Sequence, residues 1–284
     1  MKSDATRFLP LPGPLAVIGA GNMAEALVGG WVERGVFRPE DIRISDAMPE
    51  KSLRLAERFG ARPAVGNTDA AAGARVCLLA VKPQHVFDAI KDLREAPDSE
   101  RCVISIAAGV TSGAIERGLG GSPRVVRAMP NTPARVGKGM SVICGGAHAT
   151  EDDLAVAEIL LSAVGAVLRA DEADMDAVTA VSGSGPAYVF YLAEALEDAA
   201  RALGLSSGMS RELVAATIEG AAVMLRQTGD APARLRQQVT SRRGTTEAAV
   251  ECLDSHDVRD VWKEAVRRAR DRAAEIAREL ETPG

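Results

Sequence analysis

The stretch "LAVIGAGNMAEALVGGWVERG", residues 15 to 35, decides how the rest of the chain is read. Its opening, Leu15 to Gly19, has the branched apolar composition of a short buried strand. A G-x-G-x-x-A pattern follows at once in Gly19, Gly21 and Ala24. Apolar Met23, Leu27, Val28, Trp31 and Val32 then recur at helical spacing until Gly35 ends the run. Gly19 permits a tight turn, Gly21 leaves the backbone bare for a pyrophosphate, and Ala24 lets the helix pack close to the sheet. The free amides of the helix's first turn would then face the phosphates. The pattern by itself also fits an ordinary strand-to-helix turn, so its surroundings have to be read with it.

Working outward, short β-branched runs alternate with helical patterns up to about residue 170: "DIRIS" (41–45), "VCLLAV" (76–81), "CVISIAA" (102–108) and "RVVRAM" (124–129). Unbroken apolar strands between helices predict a parallel sheet covered on both faces. Pro49 opens the next helix and Gly60 closes it. "SVICGG" (141–146) and "AVLRA" (166–170) read as extra strands finishing the sheet, around a helix that Thr150 caps with Asp153 three residues on. Beyond residue 171 no strand pattern is evident, and Ala/Leu/Glu/Arg helices are expected near 173–203, 210–227, 245–254 and 257–281. The fold class is therefore α/β followed by an all-helical part, with domains at 1–170 and 171–284. In the last helix Val258, Trp262, Ala265, Ala269, Ala273, Ile276 and Leu280 form an apolar stripe for its own domain or for a partner subunit.

In this context the glycine turn predicts a dinucleotide site at the carboxyl edge of the sheet. Asp46, after the second strand, can bond the adenosine ribose hydroxyls, which favours NADH. It can equally be a turn aspartate before Pro49, with Ser45 and Lys51 serving a 2′-phosphate. Lys82 and Pro83 place a cation and a stiff turn at the same edge, and "MPNTP" (129–133) holds Asn131 and Thr132 in a fixed loop there, with Asn131 a further candidate cofactor contact. "AVSGSGPAYVF" (180–190) breaks a helical pattern with two glycines and a proline, either as a kink or as a source of free amides near Ser182 to Gly185. "SRRGTT", Ser241 to Thr246, immediately precedes a helix, so hydroxyls and amides can converge on an anion there. Glu247 and Glu251 stand one turn away as partners for Arg242 or Arg243.

Bulk composition narrows the function classes. A formal charge of -5 gives no general attraction to nucleic acid or to anionic membrane. No apolar run approaches the ~20 residues of a membrane span, and the polar, proline-containing start of the chain reads as no export signal. The four cysteines form no CxxC, and the three histidines lie in polar contexts without a paired acid. A metal is not expected, and a reducing cytoplasm is.

Taken in order, "IGAGNMA" (18–24), "AVKPQ" (80–84), "AAGV" (107–110), "MPNTP", "AVSGSGPAY" and "VTSRRGTT" resemble the pyrroline-5-carboxylate reductases over roughly residues 15–275. The resemblance implies a Rossmann-type domain joined to a helical dimerisation domain, with homodimers often assembled as a ring such as a decamer. It places NADPH or NADH on Ile18, Gly19, Ala20, Gly21, Asn22 and Met23, with Asn67, Val81, Lys82 and Ala108 as further contacts. It puts the carboxylate of 1-pyrroline-5-carboxylate on Ser241, Gly244, Thr245 and Thr246, and the ring nitrogen near Thr246. The family usually carries Pro-Gly- or Lys-Gly-type residues where this chain has Arg242 and Arg243.

The reaction so implied is hydride transfer from nicotinamide to a cyclic imine, giving L-proline. A protonated imine is already an electrophile, so positioning and hydrogen bonding suffice without a strong general acid. That agrees with the lack of a histidine–carboxylate pair. The competing readings are a hydroxyacid dehydrogenase of the same plan, for which Lys263 is the only helical-domain lysine available as acid/base, and a nucleotide sensor without turnover.

Overall fold

The computed structural model describes residues 13–97 and 101–281, with side chains up to residue 279. Residues 1–12, part of the export-signal reading, and the side chain of Leu280 lie outside the described residues. The chain forms two compact units. One runs up to Ser184 and includes the chain from Ala269 onward; the other is Gly185–Arg268.

The first unit holds eight strands: β1 (Leu15–Ile18), β2 (Ile42–Ser45), β3 (Arg62–Pro63), β4 (Val76–Leu79), β5 (Cys102–Ser105), β6 (Arg124–Pro130), β7 (Gly139–Gly145) and β8 (Gly165–Arg169). They lie in one sheet in the order β3-β2-β1-β4-β5-β6-β7-β8. The reversal between β1 and β4 is the switch point of a doubly wound, Rossmann-type sheet. Its helices are α1 (Asn22–Arg34), α2 (Pro49–Phe59), α3 (Asn67–Ala71), α4 (Val86–Glu95), α5 (Ser112–Leu119), α6 (Glu151–Ser162) and α7 (Met175–Val178). The second unit is built from α8 (Gly185–Ala202), α9 (Ser207–Thr228), α10 (Pro232–Gln238), α11 (Thr245–Ser255) and the first half of α12 (Val258–Glu281).

Alternation along β1 splits the core in two. Leu15 and Val17 join one apolar cluster with Trp31, Ile44 and Leu160, while Ala16 and Ile18 join another with Leu79, Ile90 and Ile115. Burial on both faces is what the unbroken apolar runs required. Trp31 is fully buried and its indole N–H donates to the Leu160 carbonyl at 2.7 Å, so its polar atom is not orphaned.

Helix ends follow the chemistry of their residues. Gly35 and Gly60 close α1 and α2 in the left-handed region, and Thr150 and Asp153 form a reciprocal capping box at α6. The sheet departs from the parallel expectation at one pair. β7 runs antiparallel to β6, because residues 131–138 make a short loop that cannot carry a crossover. β3, α3 and α10 were not foreseen. The first two are too short to show a period, and Pro232 starts the brief α10 at its first turn. The helix expected at 173–203 begins at Met175 and is interrupted by a π-turn over Thr179–Gly183 before α8 resumes.

The β7–β8 pair depends on two facing glycines. Gly139 and Gly165 are register partners, and a methyl group on Gly165 would sit 2.0 Å from the Gly139 carbonyl oxygen. Backbone cannot rotate away as a side chain can. Gly165→Ala should therefore cost about 2–3 kcal/mol, lowering the melting temperature by roughly 5–10 °C. A thermal melt indistinguishable from that of the parent would show that the two strands do not pair this closely.

Candidate functional site

The carboxyl ends of β1, β2, β4, β5 and β6 lie on one edge of the sheet. Gly19 leaves β1 at φ +104°, where a side chain would be strained, and a Cβ there would meet the Ala80 carbonyl oxygen at 2.7 Å. Gly21 caps α1 in an extended conformation with no side-chain cap, and a Cβ added to it would meet nothing within 4 Å. The space above Gly21 is therefore open, and the first-turn amides of Asn22, Met23 and Ala24 have no intrahelical acceptor. Bare backbone, an uncapped helix start and open space fit a dinucleotide pyrophosphate.

Asp46 is held firmly at this edge. Its carboxylate accepts from the Ala20 amide at 2.7 Å and from the Met48 amide at 2.9 Å. It thus braces the glycine turn while keeping a negative charge beside it, so the turn-aspartate reading and the ribose reading are compatible. Asn67 begins α3 with both ends of its carboxamide engaged: Ser45 Oγ donates to Oδ1 at 2.7 Å, and Nδ2 donates to Asp92 at 2.9 Å. Lys82 is exposed just before a short 3₁₀ turn at Pro83–His85, while Val81 and Ala108 are half-buried in the loops that follow β4 and β5. Asn131 follows β6 with its carboxamide bonded to protein: Oδ1 accepts from the Met140 amide at 2.8 Å, and Nδ2 donates to the carbonyl and hydroxyl of Ser182.

Sequence reasoning missed a second polar group in this unit. Arg127, buried on β6, pairs with Glu172 at 2.5 Å and with Asp176 at 3.6 Å. Ser112 at the start of α5 donates its hydroxyl to Glu172 at 2.6 Å, and the Cys144 thiol approaches it at 3.3 Å. Burial alone would raise the Glu172 pKa, but the bonds from Ser112 and Arg127 outweigh it and hold the carboxyl below its ordinary range. Burial, and then the adjacent carboxylate, push Cys144 up to about 12, so this thiol is inert. The group anchors the connector between β8 and the π-turn. The one available signal was an arginine inside an apolar strand.

In the helical unit, Ser241 to Thr246 do form a turn at a helix start. Gly244 caps α11 without a side-chain cap, and its amide donates to the Ser241 carbonyl at 3.0 Å. A Cβ on Gly244 would lie 2.4 Å from Ser241 Oγ, so only glycine keeps that hydroxyl in place. Thr245 and Thr246 open the helix, whose first-turn amides have no intrahelical acceptor. Glu247 accepts from the backbone amide of Arg243 at 2.5 Å. The arginine side chains were the expected partners; the backbone takes the carboxylate because Arg243 turns its N–H toward it. Arg242 and Arg243 are exposed. Lys263, the alternative acid/base, is exposed on α12 and paired with Asp260. No cluster of metal-ligating side chains occurs among the described residues.

A doubly wound sheet with a glycine turn shaped for a pyrophosphate, followed by a helical unit with a glycine-capped helix start, has the plan of a nicotinamide-dependent oxidoreductase. A family profile described as pyrroline-5-carboxylate reductase dimerisation matches residues 172–276, and one described as NADP oxidoreductase, coenzyme F420-dependent, matches residues 14–109. The chain is 42% identical over 267 residues to a pyrroline-5-carboxylate reductase of Pseudomonas aeruginosa, covering 94% of this chain and 97% of that one. A relative of the same name from Corynebacterium melassecola is 39% identical, with 93% and 98% covered. Among solved structures, a pyrroline-5-carboxylate reductase from Coxiella burnetii superposes with a TM-score of 0.87 at 36% identity, covering 93% of this chain and 98% of that one. The Plasmodium falciparum pyrroline carboxylate reductase with NADP bound gives 0.84 at 26%, with 94% and 99% covered. The chain belongs to the pyrroline-5-carboxylate reductase family.

The departure at Arg243 has a structural cost. Its φ is +59°, in the left-handed region where a Cβ is disfavoured by about 1–2 kcal/mol. Glycine there would relieve the strain but add unfolded-state entropy worth about 0.5–1 kcal/mol. Arg243→Gly should therefore stabilise the protein by a net ~0.5–1 kcal/mol, read as a higher urea midpoint at unchanged slope. A lower midpoint would show that the Arg243 side chain contributes more than its backbone strain costs.

Proposed function

We propose that this protein reduces 1-pyrroline-5-carboxylate to L-proline with NADPH or NADH. The observation that carries the reading is the glycine-capped start of α11, where Ser241 and Gly244 leave two threonines and unclaimed amides for a carboxylate. The reduced nicotinamide, when bound, supplies a hydride to the imine carbon.

The residues of the chain bind and orient. In this reading Ile18, Gly19 and Ala20 lead into the turn, the amides of Gly21, Asn22 and Met23 hold the pyrophosphate, and Asp46 keeps the turn in shape. Asn67, Val81, Lys82 and Ala108 line the remainder of the cofactor edge. Ser241, Gly244 and Thr245 hold the substrate carboxylate, and Thr246 is the residue that hydrogen-bonds the ring nitrogen and stabilises its protonated form. No strongly shifted acid is required, because an imine protonates near neutrality and protonation itself makes it electrophilic.

The division of labour proposed is a cofactor domain at 1–170 and a substrate-binding and dimerisation domain at 171–284. Val189, Phe190, Leu192 and Leu196 on α8, with Leu213 and Val223 on α9, are exposed within the single chain. Their burial by a second copy supports a homodimer, and a ring of dimers is the larger assembly proposed. No helix among the described residues is long and apolar enough to cross a membrane. The four unpaired cysteines support a cytoplasmic setting, and neither nucleic acid nor a membrane is proposed as a partner.

Purified protein should oxidise a reduced nicotinamide cofactor only when the imine is added; folded protein that binds cofactor without turnover would instead be a sensor. Thr246→Ala should retain cofactor affinity and lower kcat/KM for the imine by about 10-fold or more, the scale of a lost positioned hydrogen bond. Wild-type kinetics in that variant would take Thr246 out of the site. Asp46→Ser should shift preference toward NADPH, because the fixed carboxylate repels a 2′-phosphate. An unchanged ratio of kcat/KM for the two cofactors would confine Asp46 to bracing the turn.

A further inference from the structure

Asn131 stood in the sequence as a candidate cofactor contact, yet the structure commits its carboxamide to the protein. Oδ1 accepts from Met140 at 2.8 Å, while Nδ2 donates to the Ser182 carbonyl at 3.2 Å and to its hydroxyl at 3.3 Å. Both partners belong to the first unit. Asn131 thus ties three pieces of chain together: the end of β6, the start of β7 and the turn over Thr179–Gly183.

That turn is a π-turn, closed by Ser184 N–H donating to the Thr179 carbonyl at 2.8 Å. Such a turn carries one residue more than an α-helix would, and it persists only where its surroundings hold it. Two neighbours do so. Gly183 packs so tightly on Met129 that a Cβ would fall 2.3 Å from the methionine methyl, and Asn131 bonds the residue before it. On its other side Thr179 Oγ1 donates to the carbonyl of fully buried Met175 at 2.8 Å.

The place of this contact gives it a role. β6 lies two strands beyond β4, on the opposite side of the β1/β4 switch point from β2 and Asp46. A dinucleotide laid across that crevice with its ribose toward β2 extends its nicotinamide end toward β5 and β6. We propose that Asn131 is a positioning residue: it clamps the 179–183 turn to the carboxyl end of β6 and so fixes the wall beside the nicotinamide. The proposal rests on the reading of this edge as a nicotinamide-dinucleotide site. Asn131 acts through Ser182 and does not itself touch the cofactor.

The test uses Asn131→Asp in the full-length protein. The substitution is isosteric and keeps the acceptor for Met140, but it loses both donors to Ser182 and sets a carboxylate against the Ser182 carbonyl. Amide hydrogen exchange of the cofactor-free protein should accelerate at residues 182–184 by 10-fold or more, with the glycine turn at 19–24 unchanged. The dissociation constant for NADH or NADPH, measured by fluorescence titration, should stay within threefold, while kcat with the imine falls about 10-fold. Asn131→Ala should reproduce the pattern without the added charge. Unchanged exchange at 182–184, together with a cofactor affinity that weakens in proportion to kcat/KM, would overturn the proposal and make Asn131 a direct ligand. The exchange measurement needs no substrate. It therefore decides the clamp even if the parent protein fails to turn over the imine, an outcome that would count against the functional reading alone.

Discussion

Gly19 is the point at which three strand ends are forced together. Its amide donates to the Ser45 carbonyl at the end of β2, and the Ala80 amide after β4 donates to Ile18 just before it. Any side chain on Gly19 would collide with the Ala80 carbonyl. Because β1 is central and the sheet order reverses beside it, this close approach holds β1, β2 and β4 together at the switch point, where ligands bind in doubly wound folds. Asp46 completes the arrangement by accepting from Ala20, which holds the glycine turn in shape. A binding surface made of backbone has few rotamers to freeze, so its shape is in place before a ligand arrives.

At the other end of the edge the chain relies on side chains. The Arg127–Glu172 pair and its partners Ser112 and Cys144 join β6, β7, α5 and the connector in one polar group. Burying a charge is costly unless its hydrogen bonds are met, and here the carboxylate has three neighbours to meet them. Such a group contributes specificity of arrangement more than net stability. It fixes where the connector leaves the sheet, and the π-turn held by Asn131 and Met129 continues from that fixed point.

The helical unit is governed by a different balance. Few aromatic side chains are present, and Tyr188 and Trp262 supply a ring contact, with centroids 5.9 Å apart. Much apolar surface on α8 and α9 stays exposed within the chain. The ion pairs along α12, such as Arg268 with Glu264 and Arg272 with Glu279, are exposed and contribute little each. What stabilises a unit of this kind is burial against another subunit, in keeping with the dimerisation profile that matches it.

The sequence by itself determined the elements whose cause is local. Strand alternation, the glycine turn, the caps at Gly35, Gly60 and Thr150, and the glycine-capped start of α11 all rest on residues within a few positions of one another. Their chemistry therefore shows in a linear reading, and the ordered motifs pointed to the family. Only the tertiary structure decided what polar side chains do once distant segments meet. It turned Asp46 onto Ala20, closed Asn67 between Ser45 and Asp92, drew Arg127 and Glu172 together across 45 residues, and gave Asn131 to Ser182 across 51. A hydrogen bond between residues so far apart leaves no period and no spacing in the chain. It also decided the antiparallel β7, where loop length overruled the pattern of the strands, and the left-handed Arg243, whose strain exists only once the turn around it is closed.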